Sequence, residues 1–303
     1  MAVRKPDFLI VGAPRSATTS MQIYLRQHPQ VFFPRRKEVH YFGSDLTRFS
    51  RGFWFVESEA EYLDLFRQAR PEQLVGEASA MYLQSTRAAE EIARFNPRMR
   101  IIIQLRNPID VIYSHHGHLL WAANEDLNDF ERALAAEPDR AAGRRIPRHA
   151  IMLDPLLYRE TTRYASQVQR YFDAFGHENV HVVIYDDITS DAARAYRGVL
   201  DYLGIDPGFR PAFDVANPHK RVRNRALQGL TMMPPELLRR LLRALPGDLA
   251  YRGAIFVQSL NSVPARRPPL RGELRRKLCA ELAPEIEQLG ALLGRDLRHW
   301  TQC

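Results

Sequence analysis

The chain has 303 residues, of which 45% are hydrophobic and 26% are charged, a balance typical of a soluble globular enzyme and not of a disordered chain. The net charge of +8 indicates an anionic partner (a nucleotide, an acidic glycan, a membrane surface or nucleic acid) or simply a basic solvated surface. Two cysteines exclude a disulfide framework and a cysteine metal cluster. Because no apolar run reaches the ~18 residues of a membrane span or forms a signal segment, we expect no transmembrane segment and a cytoplasmic location.

The first elements are predicted to be a buried strand at 8–11, a loop at 12–17 and a helix that ends near Pro29. The apolar side of this helix carries Met21, Ile23, Tyr24 and Leu25. A strand, a tight loop and a helix in that order are typical of the opening unit of a nucleotide-binding α/β sheet.

Further strands and helices alternate along the chain. A short strand is predicted at 74–75, leading into Gly76 and Glu77, and the run at 101–105 is the clearest buried strand. It stops at Arg106; Asn107 is then expected to cap a helix that runs through Leu120. Another helix at 155–175 and a strand at 181–185 follow. This alternation predicts an α/β fold with a central parallel sheet covered by helices on both faces, in one domain spanning 1–303.

The remaining segments are polar, basic or helical. The Arg-rich stretch 137–149 contains two prolines and predicts a mobile surface loop near the acceptor site. The run 217–225 is strongly basic. Near the C-terminus, Leu274, Leu278 and Leu282 recur at helical spacing, and a second helix is predicted from Pro284 to Leu293.

The loop between the first strand and the first helix has the composition of a phosphate site. Loop amides and the positive end of the helix converge there, the hydroxyls of Thr18, Thr19 and Ser20 add donors, and Arg15 adds a full charge. The alternative is a proline-containing turn capped by hydroxyl residues. The flanking strand and helix favour phosphate binding.

The identity of the phosphate ligand follows from what the loop lacks. A nucleoside-triphosphatase loop, G-x-x-x-x-G-K-[ST], requires Lys directly before the Mg²⁺-binding hydroxyl, but this chain has Thr18 at the position of that lysine and Ala17 at the position of the second glycine. Asp186, after a predicted strand, could imitate a metal-holding carboxylate, although such a residue is commonplace. A single phosphate without a metal is therefore favoured over a β/γ-phosphate clamp.

Four segments resemble the sulfotransferases that use 3′-phosphoadenosine-5′-phosphosulfate (PAPS), in particular the bacterial and heparan-sulfate-type branch. They are IVGAPRSATTSM at 10–21, KEVHYF at 37–42, GEASAMYL at 76–83 and IIIQLRNPIDVIYSH at 101–115, and LLGRDLRHW at 292–300 is also similar. The matches are spread over nearly the whole chain in the family's order. The resemblance implies a P-loop-like nucleotide-binding fold, PAPS as co-substrate and no metal.

The resemblance also implies which residues bind the nucleotide. Arg15 matches the loop's basic residue and contacts the donor's 5′-phosphate, with Ser16, Ala17, Thr18, Thr19 and Ser20 completing the loop. Arg106 and Ser114 match the pair that holds the 3′-phosphate. The chain departs from the family by Arg15 for Lys, Ala17 for Gly and Ala78 for Lys, and the family's late 3′-phosphate loop has only the basic run 220–225 as a substitute.

Glu38 matches the family's catalytic carboxylate, with His40 beside it and second in line as the base. Strand-like alternation would place both side chains on one side, and partial burial would raise the pKa of Glu38 towards neutrality. The alternative is a surface ion pair of Glu38 with Arg36 or Lys37.

Two other groups of residues are ambiguous. His115, His116 and His118 lack acidic or cysteine partners at metal-ligand spacing, so packing or surface roles are favoured over a metal site. Tyr41, Phe42, Phe53 and Trp54 could stack on an acceptor, although aromatic residues of this kind are more often core.

These observations predict a sulfotransferase that moves a sulfuryl group from PAPS to a hydroxyl or amine. The acceptor is a glycan, a glycolipid or a small metabolite, and no residue selects among them. A Mg·ATP-dependent small-molecule kinase is the first alternative, and a non-catalytic binder of nucleic acid or another polyanion is the second. We expect PAPS and its product adenosine 3′,5′-bisphosphate as partners, and no nucleic acid.

Overall fold

The computed structural model describes residues 4–49, 54–213, 220–243, 249–265 and 267–302. Within them, a five-stranded sheet has the order β2-β3-β1-β4-β5, and each neighbouring pair of strands is parallel. The strands are β1 Phe8–Gly12, β2 Val31–Phe32, β3 Leu74–Ala78, β4 Arg100–Leu105 and β5 Val180–Ile184. The predicted α/β fold with a central parallel sheet is confirmed.

The sheet is surrounded by helices. They are α1 Thr18–Arg26, α2 Glu59–Asp64, α3 Ala88–Phe95, α4 Pro108–Trp121, α5 Phe130–Ala135, α6 Glu137–Ala141, α7 Tyr164–Phe175, α8 Tyr185–Ser190, α9 Ala192–Leu203, α10 Arg225–Met232, α11 Glu236–Arg243, α12 Leu249–Leu260 and α13 Gly272–Leu293. An antiparallel ribbon pairs β6 Lys220–Val222 with β7 Ser262–Pro264. None of the helices in the described ranges combines the length and the apolar character that a bilayer crossing requires.

Successive residues of each central strand contact different helical layers, as the pleat of a strand requires. Phe8 and Ile10 of β1 pack with α1 and α9, whereas Leu9 and Val11 pack with α3, α4, α7 and α13. Because both faces are covered, the strands are apolar without alternation. The result is a three-layer arrangement of helices, sheet and helices.

The order of the strands brings three loops to one edge of the sheet. After β1 the chain moves to β2 on one side of the sheet, returns to β3, and then crosses β1 to reach β4 and β5 on the other side, so β1 lies between β3 and β4. The amide of Ala13 donates a 2.6 Å hydrogen bond to the carbonyl of Gln104, which joins the ends of β1 and β4. Ligands of open α/β sheets bind at such a switch point, outside the carboxyl ends of the strands.

Several predicted boundaries are wrong. The helix predicted from 155 begins only at Tyr164, because the chain from 154 to 162 forms two 3₁₀ turns. The two C-terminal helices are one helix, α13, with Pro284 inside it; its buried residues Leu278, Leu282, Ile286 and Leu289 form one continuous face across the proline. Ile23 of α1 is 39% exposed and does not belong to its apolar side.

Cys279 of α13 is disulfide-bonded.

The predicted mobile loop at 137–149 is also wrong in its first part. Residues 137–141 form α6, and Arg140 is fully buried there. Its Nη2 lies 2.7 Å from Oε1 of Glu125, and both side chains have 0% exposure. The hydroxyl of Tyr158 donates a 2.6 Å hydrogen bond to the other carboxylate oxygen of Glu125. This buried ion pair anchors the segment to the core.

Replacing Arg140 with methionine tests that ion pair. Arg140→Met leaves the Glu125 carboxylate buried without its cation, so we expect a loss of about 3–5 kcal/mol in the free energy of unfolding, measured with urea. The control Arg94→Met removes one member of an exposed pair with Glu90 and should cost no more than about 1 kcal/mol. Equal losses in the two variants would contradict the anchoring role.

Candidate functional site

The loop after β1 presents the uncapped end of a helix. α1 begins at Thr18, the preceding Ala17 makes no side-chain capping bond, and the first turn carries no acidic residue. Its open N–H groups and the helix dipole favour an anion at this position. Ala17 has a φ of 65°, in the left-handed region that glycine prefers, which agrees with the glycine common in the family that the loop resembles.

The two arginines predicted to bind the nucleotide lie close together. Arg106 directly follows β4, its Nη1 donates a 3.4 Å hydrogen bond to the carbonyl of Arg15, and its guanidinium stacks over the ring of Tyr185 at 4.5 Å. Nε of Arg15 donates a 3.1 Å hydrogen bond to Oγ of Ser114 on α4. The structure thus brings together Arg15, Arg106 and Ser114, the last of which was assigned by resemblance alone.

Positive charge gathers here without a compensating carboxylate. Burial and, after it, the charge of Arg106 lower the pKa of Arg15. Among the described residues, neither arginine forms an ion pair with an acidic side chain. A bound anion would stabilise two partly buried positive charges that lie next to each other. Groups whose pKa is shifted by neighbouring charges and burial cluster at functional sites. The residues present therefore fit a phosphate-bearing nucleotide.

Lys37 is a site residue that the sequence analysis missed. Its Nζ donates a 2.7 Å hydrogen bond to Oγ1 of Thr19 and a 3.5 Å hydrogen bond to Oγ1 of Thr18, and it lies 3.1 Å from Oε1 of Glu38. The sequence indicates only a possible surface ion pair of Lys37 with Glu38. Two features of the sequence could have identified it. Lys37 directly precedes Glu38 in the KEVHYF segment, and Ala78 stands where related proteins carry a lysine, so another lysine could take its place.

The loop residues divide into two groups. Arg15, Thr18 and Thr19 line a cleft of about 460 Å³, as do Lys37, Glu38 and His40. Ser16, Ala17 and Ser20 are absent from the described lining of that cleft, and the hydroxyl of Ser16 is directed to the carbonyl of Pro14 at 3.5 Å. Of the predicted nucleotide-binding residues in this loop and the first helical turn, one arginine and two threonines thus line the cleft, together with Pro14.

Glu38 and His40 lie together, although not for the predicted reason. Residues 33–41 form no strand, so strand alternation is wrong as the explanation. Both residues instead have positive φ values, 55° for Glu38 and 47° for His40, a backbone conformation that is uncommon for non-glycine residues and recurs at functional sites. Oε2 of Glu38 accepts a 2.8 Å hydrogen bond from the amide of Ala80 and lies 3.6 Å from Nε2 of His40.

The pKa of Glu38 differs from the expected one. Burial raises it, but Lys37, His40 and the Ala80 amide outweigh burial and lower the pKa of Glu38 below its ordinary value. The expectation of a raised pKa is therefore wrong for the protein without ligand, and the carboxylate is ionised at neutral pH. Burial lowers the pKa of His40 to about 4, so this imidazole is neutral at pH 7.

The fully buried carboxyl group of Glu77 is linked to the backbone of His40 through the hydroxyl of Ser79. Oγ of Ser79 donates a 2.6 Å hydrogen bond to Glu77 and accepts a 3.2 Å hydrogen bond from the amide of His40. Burial raises the pKa of Glu77 to about 8, and the charge of Glu38 acts in the same direction. Glu77 is therefore protonated at neutral pH and holds the backbone of His40 through Ser79.

The rest of the cleft lining is mainly apolar, and we call it the apolar wall. It consists of Trp54, Met81, Leu119, Trp121, Ile151, Met152, Met232, Tyr251 and Ile255. Of the aromatic residues singled out from the sequence, only Trp54 is among the described lining residues. Tyr41 and Phe42 pack against Tyr62 and Phe95 in the core, and Phe53 lies outside the described residues.

The three histidines of α4 separate into two environments. His115 and His118 line the cleft, whereas Nε2 of His116 lies 2.8 Å from the carbonyl of Leu127 in the interior. Burial, followed by the charge of Arg15, lowers the pKa of His115 to about 3. No three metal-binding side chains cluster within the ranges that the structure describes.

Two weaker candidates contact other parts of the molecule. Oδ2 of Asp186 accepts a 2.7 Å hydrogen bond from Nε1 of Trp300 and lies 2.9 Å from Nε2 of His299. The basic run Lys220–Arg225 forms β6 and the start of α10, and Arg225 donates a hydrogen bond to Asn128. In the described chain, no hydrogen bond or ion pair joins this run to Arg106.

Comparison with known proteins gives the following matches. Residues 6–210 match the model of a family described as the sulfotransferase family. Over 118 residues the chain is 29% identical to the membrane-associated sulfotransferase kil1 of Dictyostelium discoideum, covering 38% of this chain and 24% of that protein. Over 214 residues it is 26% identical to the human bifunctional heparan sulfate N-deacetylase/N-sulfotransferase 2, covering 67% of this chain and 22% of that protein. The matched region therefore spans about a quarter of these curated relatives.

One solved structure is similar over its whole length. The crystal structure of a sulfotransferase from Alicyclobacillus acidocaldarius superposes with a TM-score of 0.74 at 28% identity. The superposition covers 99% of this chain and 100% of that one. The helices after residue 210, beyond the family match, therefore have counterparts in that protein.

The buried carboxyl group of Glu77 predicts a pH effect on stability. Its pKa is about 8 in the folded protein and ordinarily 4.5, so the folded state retains a proton that the unfolded state releases between these values. Its contribution to stability is complete below pH 4.5 and is lost as the pH rises to about 8. We expect Glu77→Gln to flatten the fall in melting temperature between pH 5.5 and 8.5, measured by calorimetry. Parallel curves for the two proteins would refute the raised pKa.

Proposed function

Because this chain belongs to the sulfotransferase family, we propose that it transfers a sulfuryl group from PAPS to a hydroxyl or amine of an acceptor. One observation carries the proposal: Lys37 contacts both Thr19 of the phosphate loop and Glu38, the candidate base. An anion site and a proton acceptor therefore share one cleft, as an in-line transfer requires.

The residues that would hold the nucleotide follow from the charges. The amides at the start of α1, the hydroxyls of Thr18 and Thr19 and the guanidinium of Arg15 would bind the 5′-phosphosulfate. Arg106 and Ser114 would bind the 3′-phosphate. The proximity of Arg15 to both Arg106 and Ser114 supports a nucleotide that carries two separate anionic groups.

The proposed chemistry balances without a covalent enzyme intermediate. The acceptor oxygen or nitrogen forms a bond to sulfur while the bond between sulfur and the 5′-phosphate oxygen breaks, and adenosine 3′,5′-bisphosphate departs with the electron pair. Arg15 and the N-terminus of α1 stabilise the charge that develops on the leaving phosphate. Glu38 accepts the proton that the acceptor group loses.

Lys37 links nucleotide binding to the strength of the base. Without ligand, its ammonium group lowers the pKa of Glu38, which makes the carboxylate a weak proton acceptor. A phosphosulfate at Thr18 and Thr19 would attract the same ammonium group. Glu38 would then lose part of this stabilisation, its pKa would rise, and it would become a better base when the donor is bound.

His40 remains the second candidate for the base. It is neutral at pH 7 and lies 3.6 Å from Glu38, so it could accept a proton directly or orient the carboxylate. Its backbone is fixed through Ser79. We assign the base to Glu38 because Lys37 and the Ala80 amide hold its carboxylate in the lining of the cleft.

The other functions considered from the sequence receive no specific support. A kinase of the nucleoside-triphosphatase type would use an acidic residue after a strand to hold Mg²⁺, but the carboxylate of Asp186 is engaged by Trp300 and His299. A polyanion binder would not need Glu38 and Lys37 beside an apolar wall. Family membership favours the enzyme over both.

We also propose that residues 1–303 form one domain, as predicted. The family match ends at 210, but Leu278, Leu282, Ile286 and Leu289 of α13 belong to the same hydrophobic core as β1 and β4. The cytoplasmic location stays a prediction from the sequence.

Nucleotide binding is the first test. We expect the protein to bind adenosine 3′,5′-bisphosphate in EDTA by calorimetry, and Arg106→Ala to weaken this binding roughly tenfold or more through the loss of a charge-assisted contact. The control Arg67→Ala, at an exposed residue paired with Asp64, should bind normally. No binding by the folded wild-type protein would refute the proposal, and tighter binding of Mg·ATP would favour the kinase.

The base is the second test. Glu38→Gln retains an acceptor for the Ala80 amide but cannot take up a proton. We expect transfer from radiolabelled PAPS to fall about 10²–10⁴-fold. The variant should still bind adenosine 3′,5′-bisphosphate, at least as tightly as the wild-type protein, because Lys37 is no longer shared with a carboxylate. If the variant keeps most of its activity, the role of the base moves to His40 or to the acceptor itself.

A further inference from the structure

The apolar wall of the cleft shows which chemical class of acceptor the site fits. The charged members of the described lining are Arg15, Lys37 and Glu38, all of which belong to the nucleotide and base machinery. Burial lowers the pKa of His40 to about 4 and that of His115 to about 3, and it lowers the pKa of His118 as well. The histidines are therefore neutral at pH 7, and the wall carries no formal charge among the described residues.

The polar atoms of the wall are largely engaged within the protein. Nε1 of Trp54 donates a 2.6 Å hydrogen bond to the carbonyl of Met232, and Nε1 of Trp121 donates a 2.9 Å hydrogen bond to Oγ of Ser262. Oδ1 of Asn124, which also lines the cleft, accepts a 2.8 Å hydrogen bond from the amide of Ile151. The indole rings therefore offer apolar surface to a ligand, because their donors are already used.

The same contacts hold two helices over the cleft. Trp54 packs edge-on against Tyr251 of α12 with ring centroids 5.7 Å apart, and it is bonded to Met232 at the end of α10. Gln258 of α12 donates a 3.3 Å hydrogen bond to Thr231 of α10, which ties the two helices together. α10 and α12 thus supply part of the apolar wall as a preformed element.

An acidic glycan is a poor fit to such a wall. Burying a carboxylate or a sulfate against indole, methionine and isoleucine side chains removes its hydration without supplying a cation. An uncharged apolar group gains free energy from the same burial, in proportion to the apolar area that leaves water. A mainly apolar cleft with a few convergent polar groups is typical of a small-molecule site.

We propose that the acceptor is a small uncharged alcohol or phenol whose hydrophobic body packs against Trp54, Trp121, Met152, Met232 and Ile255 while its hydroxyl reaches Glu38. This inference rests on the proposed function. The hydroxyl oxygen forms the bond to sulfur, its proton passes to Glu38, and the bond between sulfur and the 5′-phosphate oxygen breaks.

A homologous series of acceptors tests the proposal. With radiolabelled PAPS, we compare ethanol, butanol, hexanol and octanol, with 2-naphthol as an aromatic acceptor and de-N-sulfated heparin as an acidic glycan. We expect kcat/KM to rise roughly tenfold for each two added methylenes, as far as the cleft can bury them. Transfer to 2-naphthol should exceed transfer to the glycan at least tenfold. A flat series, or preference for the glycan, overturns the proposal.

Two adjacent residues of α12 provide a matched pair of variants. Ile255 lines the cleft and is 42% exposed, whereas its neighbour Phe256 is 63% exposed and is absent from the described lining. We expect Ile255→Glu to lower kcat/KM for octanol at least tenfold and Phe256→Glu to leave it within about twofold. Equal losses in the two variants overturn the proposal.

Calorimetry with adenosine 3′,5′-bisphosphate on the same samples separates this inference from the proposed function. If the wild-type protein fails to bind that nucleotide, the proposed function fails and the acceptor inference fails with it. If the nucleotide binds but no alcohol or phenol is sulfated, only the acceptor inference fails. Normal nucleotide binding by Ile255→Glu, together with its loss of octanol transfer, supports the inference.

Discussion

The site depends on two like charges that the parallel sheet forces together. β1 and β4 are neighbouring parallel strands, so the residues that follow them, Arg15 in the loop and Arg106 at the strand end, lie at the same edge of the sheet. Arg106 is also held by a stacking contact with Tyr185, and Arg15 by a hydrogen bond to Ser114. A bound anion that spans both arginines would relieve their repulsion, which is the physical basis for proposing a nucleotide with two separate phosphate groups.

Lys37 adds a third positive charge, which lies between the phosphate loop and Glu38. It contacts Thr19 of the loop and Glu38 at once, so the ammonium group is shared between the expected position of the donor and the expected base. Protonated Glu77 lies behind Glu38 and adds no negative charge at neutral pH. The cleft can therefore keep one ionised carboxylate next to an anionic substrate without accumulating further negative charge.

The sequence predicted the parts of the molecule that depend on local patterns. The triple-isoleucine strand, the Asn107 cap and the loop at 12–17 before the first helix are readable because each follows from a short-range rule. What could not be predicted depends on contacts between distant segments. The burial of Arg140 requires Glu125, and the turns at Glu38 and His40 require the Ala80 amide and Ser79. Family resemblance alone pointed to Ser114, which no local pattern marks and which the structure places in contact with Arg15.

The helices that cover the cleft come from a different part of the chain than the nucleotide site. Met232, Tyr251 and Ile255 all lie after residue 210, where the family match ends, and Trp54 of the matched region contacts both Met232 and Tyr251. Substitutions in this C-terminal portion could thus diversify the molecules that are modified while leaving donor recognition intact. Acceptor selectivity could therefore be exchanged between homologues by grafting helices α10 and α12 of one protein onto the sheet of another.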